Sequence, residues 1–123
     1  MQSKTMTWVG WILGGLPALM LLASAAMKFS GAPGLAEGFG HLGWPVSLAV
    51  PLGILEITVT LLYLIPQTSV LGAILLTGYM GGAIATHVRV GDPFFMQILL
   101  GVAIWGGLYL REPRLRSLIP LKS

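Results

Sequence analysis

The sequence predicts an all-α protein: an antiparallel four-transmembrane-helix bundle with a short interfacial segment between its first and second helices. Three observations carry the prediction. Hydrophobic residues make up 55% of the 123 positions, and mean hydropathy is +0.86. Charged residues make up only 9%, where a soluble domain carries roughly a quarter. The charges also leave four long apolar stretches, each about 18 to 22 residues and sufficient for a hydrocarbon core of roughly 30 Å. The helices expected from them are 7–28, 46–65, 70–90 and 94–111, and together they form one transmembrane domain over 1–123.

Lys4 ahead of an apolar stretch, with Ala23-Ser24-Ala25 after it, resembles a signal peptide. The stretch is nearer 20 residues than the 7–15 of a signal peptide's apolar region, so it reads as a retained first helix. That helix ends near Lys28-Phe29-Ser30-Gly31, where Gly31, Pro33 and Gly34 interrupt the pattern. Segment 35–44 follows, with Leu35, Phe39 and Leu42 at helical spacing and Trp44 as an anchor, so a short helix on the outer interface is expected. Pro51 should kink the second long helix or mark a late start. The turn 65–69 is tight and uncharged. The third helix runs into Arg89-Val90-Gly91-Asp92-Pro93, and the fourth ends at Arg111-Glu112-Pro113.

Orientation follows from the cations. Lys4, Arg111, Arg114, Arg116 and Lys122 flank the outermost helices, whereas the opposite face holds Lys28 and Arg89. This excess places both termini in the cytoplasm. The net charge of +3 suits contact with anionic headgroups of the lipid bilayer, and no nucleic-acid partner is expected. With no cysteine, thiol–disulfide exchange, iron–sulfur clusters and zinc–thiolate sites are excluded. His41 and His87 are the only imidazoles, and no metal site is expected.

Helical periodicity assigns faces. Gly53, Glu56, Thr60 and Tyr63 share one stripe, as do Pro17, Leu21, Ser24 and Lys28. Gly78, Gly82, Ala85 and Arg89 form a small-residue stripe, with Tyr79 and Thr86 beside it; Gln97, Gly101 and Trp105 align on the last helix. Such stripes should face inward, and the small-xxx-small pattern at Gly78 and Gly82 serves packing within the bundle or against a second copy.

Glu56 is the residue with most to explain. A carboxylate in the middle of an apolar run is costly in lipid, and intramembrane carboxylates face a partner or a wet cavity. The candidate pocket is therefore Lys28, Glu56, Tyr79, Thr86, His87 and Arg89, with Asp92 and Gln97 in support. If the second helix starts at residue 46, Glu56 lies roughly 15 Å below the outer boundary at 1.5 Å per residue. A direct ion pair with Lys28 or Arg89 then needs Pro51 to delay the helix, or a bridging water. Without a partner, burial favours the uncharged acid, hydrogen-bonded to Thr86 or Tyr79.

The run 72–93, with Thr77-Gly78-Tyr79-Met80-Gly81-Gly82-Ala83 and Thr86-His87-Val88-Arg89-Val90-Gly91-Asp92-Pro93, resembles the DoxX-like family of small bacterial four-helix membrane proteins. Gly53-Ile54-Leu55-Glu56 and Lys28-Phe29 add to the resemblance, which spans nearly the whole chain. It implies a multi-pass protein of the bacterial plasma (inner) membrane and family-typical polar positions at Lys28, Glu56, His87 and Arg89. The family name comes from a membrane subunit of thiosulfate:quinone oxidoreductase, and most members have no assigned reaction. The resemblance thus admits a quinone or other small molecule as ligand, partners among membrane redox subunits, and a non-catalytic role in a quinone-linked oxidoreductase. Lacking cysteine, this chain departs from a covalent sulfur-handling enzyme. Two other functions compete: a proton-coupled small-molecule transporter built on Glu56, and a structural or assembly partner of another membrane protein.

Overall fold

The computed structural model describes residues 2–122, and among them every regular element is helical. Helix α1 spans Lys4–Phe29, α2 Pro33–His41, α3 Ala49–Leu64, α4 Ser69–Val90, α5 Phe95–Arg111 and α6 Pro113–Arg116, with single 3-10 turns at Val46–Leu48 and Pro66–Thr68. Counting the adjoining turns, the segments Lys4–Phe29, Val46–Leu64 and Pro66–Val90 are long and apolar enough to cross a membrane. Helix α5 is equally apolar but shorter, at 17 residues.

The helix ends follow local chemistry. Ser3 Oγ accepts from the Met6 amide at 3.1 Å and caps α1. Pro33 sits in the first turn of α2, where a missing amide hydrogen leaves no bond unmade. Gly91 closes α4 in the left-handed conformation (φ 76°), which brings the Asp92 amide onto His87 O at 2.9 Å. Pro51 produces the late start rather than a kink. It occupies the third position of α3, behind the 3-10 turn, so the α-helix begins at Ala49 and not at 46.

Neighbouring helices run in opposite directions. Gly14 of α1 lies against Tyr63 of α3, while Ala25 and Phe29 lie against Gly53. Gly72 of α4 meets the backbone of Leu62 and Tyr63. Gly107 of α5 meets Gly10 and Gly14, so three glycines bring α1 and α5 into backbone contact. Helices α4 and α5 meet least closely of the adjacent pairs.

The packing divides the bundle into two halves. At the end carrying both termini the interior is solid, with Tyr63, Leu76, Ile104 and Leu108 fully buried and Tyr63 Oη donating to Ile104 O at 2.6 Å. The termini are tied together there: Gln2 Nε2 donates to Leu110 O at 2.8 Å, and Arg116 Nη2 donates to Gln2 Oε1 at 2.6 Å. Arg111 plugs this end. Its guanidinium lies 3.8 Å from the Trp11 ring centroid and 4.9 Å from that of Tyr63, and Nη1 donates to Ser69 Oγ at 3.3 Å. Nε and Nη2 are sealed without a hydrogen-bond acceptor among the described residues, so the aromatic faces supply the opposing electron density.

The outside is apolar. Trp8, Leu16, Leu19, Ile54, Ile74 and Leu99 are all more than half exposed, a surface suited to acyl chains rather than water. Together with three span-length helices it identifies a membrane protein.

Candidate functional site

In the other half of the bundle the four long helices part around a cavity of about 580 Å³, within the range of small-molecule sites, roughly 300–1,000 Å³. Of the residues singled out in the sequence, Lys28, Glu56, Tyr79, Thr86, His87 and Gln97 all line it.

The stripe Gly53, Glu56, Thr60 and Tyr63 is buried throughout, and α3 carries Glu56 into the interior at 1% exposure. Gly53 leaves room for the Phe29 ring, which seats the end of α1 against α3. Lys28 follows directly before Phe29 and turns inward. Its Nζ donates to Glu56 Oε1 at 2.8 Å and to Ser24 Oγ, one turn back on α1, at 2.9 Å. Tyr79 Oη of α4 donates to the same Glu56 oxygen at 2.8 Å. A charge removed from lipid is thus matched by an opposite charge and two charge-assisted hydrogen bonds. The late start of α3 makes the direct pair feasible, because Glu56 is only seven residues, roughly 10 Å, from the helix start.

His87 forms a second polar centre across the chamber. Its Nδ1 lies 2.7 Å from Ala83 O. A carbonyl only accepts, so Nδ1 carries the hydrogen and Nε2 of the neutral ring is the acceptor. Gln97 Nε2 faces that Nε2 at 3.4 Å and donates to it, which points Gln97 Oε1 the other way. That Oε1 is buried without a partner among the described residues.

Arg89 and Asp92 do not line the chamber. They hold the segment that covers it. Arg89 Nη2 donates to Leu42 O, and its guanidinium stands 5.1 Å from the Trp44 ring centroid. Asp92 Oδ2 pairs with His41 Nε2 at 2.8 Å. Trp44 Nε1 reaches Thr86 Oγ1 at 3.4 Å. Gly43, at φ 82°, makes the turn, and a Cβ there would stand 2.9 Å from Arg89 Nη2. Phe39, Leu42 and Trp44 thereby become part of the chamber wall. Sequence reasoning gave these three no part in the site, since apolar spacing marks a buried face without saying what it covers. We expect Arg89→Ala to loosen this strap by about 1.4 kcal/mol, seen as roughly tenfold faster amide exchange across Pro33–His41 with α3 unchanged.

The small-residue stripe on α4 also differs from expectation. An added Cβ on Gly78 or Gly82 would meet nothing within 4 Å, and both glycines line the chamber. They make space here instead of letting two backbones approach.

A model of the DoxX-like family matches residues 12–108, more than three-quarters of the chain. The chain belongs to the DoxX-like family. No curated protein and no solved structure matches it. In this DoxX-like protein the matched stretch includes every residue lining the chamber, from Met20 to Leu100, and leaves out the Arg111 plug. The family assignment gives membership and says nothing of what the chamber holds.

Proposed function

We propose that this DoxX-like membrane protein is a ligand-binding subunit that holds a small molecule in the chamber around Glu56. Helices α1, α3, α4 and α5 cross the bilayer as four antiparallel spans, α5 covering roughly 26 Å at 1.5 Å per residue. The five cations near the termini, against Lys28 and Arg89 at the opposite end, support a reading in which both termini lie in the cytoplasm of a bacterial cell. The chamber then opens toward the outer face beneath the α2 strap.

One observation carries this: the buried Lys28–Glu56–Tyr79 cluster abuts a cavity large enough for a ligand. Were the cluster only a fastener between helices, the neighbouring side chains would close over it. Glycines at 78 and 82 hold the space open instead. Glu56 and His87 are the proton-handling groups and Lys28 a donor to carbonyl or anionic oxygen, while Arg89 and Asp92 act through the strap. A cation exporter is disfavoured, because Lys28 already occupies Glu56 Oε1. A quinone remains a family-level candidate.

Native mass spectrometry of protein released from nanodiscs tests the reading. Wild type is expected to carry a co-purifying small molecule, and Glu56→Gln, which keeps the side-chain shape, to lose at least about tenfold in occupancy. Wild type with an empty chamber, or equal occupancy in the variant, sinks the proposal.

A further inference from the structure

A second cavity, about 630 Å³, runs along the outside of the bundle between α4 and α5. It is a groove walled by Ile84, Ile98, Val102 and Tyr109, with Gly81 and Gly101 at positions where a Cβ would meet nothing. Of the two hydroxyl-bearing residues in its wall, Thr77 and Tyr109, Thr77 Oγ1 accepts from Trp105 Nε1 at 2.6 Å and donates to Ala73 O at 2.8 Å, so that hydroxyl does not compete with an apolar chain. Met80 and Gln97 belong to the walls of both cavities. The polar chamber and the apolar groove therefore share these two side chains as a common wall.

The unfilled hydrogen-bonding capacity of the chamber lies mainly in acceptors. Lys28 and Tyr79 both donate to Oε1 of Glu56, and Oε2 receives no hydrogen bond among the described residues. Gln97 Oε1 is likewise buried and unpartnered. Buried acceptors lacking donors call for a ligand that brings O–H or N–H groups.

Resting on the chamber reading above, we infer that the two cavities form one site for an amphiphile, its hydroxyl-bearing head in the chamber between Glu56 and Gln97 and its hydrocarbon chain passing Met80 into the α4/α5 groove. Such a head could be a phenol or the glycerol of a lipid. The shared chemistry is two donors on a chain.

Calorimetric titration of the protein in nanodiscs, referenced to empty discs, tests this with 4-dodecylresorcinol and 1-monolauroylglycerol as the chain-bearing probes. Resorcinol serves as the head alone, and 1-dodecyl-2,4-dimethoxybenzene as the head without donors. At least one chain-bearing diol is expected to bind, and which one distinguishes an aromatic from a glycerol head. Capping the hydroxyls should weaken binding by at least about tenfold, since the two acceptors are left bare. Gly101→Leu should weaken the dodecyl probe at least about tenfold and leave resorcinol unaffected, whereas Gly82→Leu should weaken both. Gly81→Leu, from the facing wall of the groove, should reproduce Gly101→Leu and guards against a local folding defect. If Gly82→Leu weakens both probes but neither groove variant alters dodecyl binding, the amphiphile inference fails while the chamber reading stands. If the dimethoxy probe binds as well as the diol, the donor assignment fails. If no probe binds wild type, the inference is overturned, and the nanodisc mass spectrum decides the chamber separately.

Discussion

Lys28→Met is expected to lower the unfolding free energy by about 3 kcal/mol, the lower end of the cost of breaking a buried ion pair. The substitution leaves Glu56, at 1% exposure, with only the Tyr79 hydroxyl for company. Lys28 keeps 17% of its side chain exposed, and the adjoining chamber softens the loss, which is why the lower end applies. Glu56→Leu alone should cost a similar amount, because it strands the ammonium group and the Tyr79 hydroxyl. The double variant should fall close to either single one, with a coupling of about 3 kcal/mol, since removing both partners leaves no uncompensated charge. Unfolding by dodecyl sulfate titration in mixed micelles measures all four corners of the cycle. Strictly additive costs would mean that the pair contributes no interaction energy.

The second large effect is expected at Gly72. A Cβ there collides with the backbone of Leu62 and Tyr63, and backbone cannot rotate away as a side chain can. Gly72→Ala should therefore push α4 off α3 and cost about 3 kcal/mol, the upper end for overpacking. Gly81→Ala, nine residues along the same helix, meets nothing within 4 Å and should gain up to about 1 kcal/mol from helix propensity. The same titration reads both. Equal effects at the two positions would overturn the contact geometry between α3 and α4.

That contrast also marks what the sequence could and could not convey. The long helices were legible from hydrophobic run length, with ends displaced by three residues or fewer, because so few charges interrupt them. The stripe Gly53, Glu56, Thr60 and Tyr63 was legible because a carboxylate inside an apolar run has only one tolerable direction. The function of each glycine was not. Gly72, Gly78 and Gly82 look alike in sequence, yet one brings backbones together and two leave a void, and only the position of the partner helix decides. The Lys28–Glu56 contact lay between these cases. Both residues stood out, but the depth assigned to Glu56 assumed an α-helix starting at residue 46, whereas α3 begins three residues later at Ala49 and Lys28 turns inward to meet it. Arg89 stood on a stripe pointing toward the interior, while its partner, Leu42 O, is placed by the Gly43 turn 46 residues earlier. A long-range placement of that kind leaves no periodic trace.

The guanidinium wedged between Trp11 and Tyr63 has a consequence for traffic through the molecule. It corks the end of the bundle opposite the chamber with a fixed positive charge, and such a charge repels protons and metal cations as it does in selective pores. With the solid packing of Tyr63, Leu76, Ile104 and Leu108 beside it, the chamber is closed at that end, so the proposed ligand would exchange only through the α2 end or between the helices.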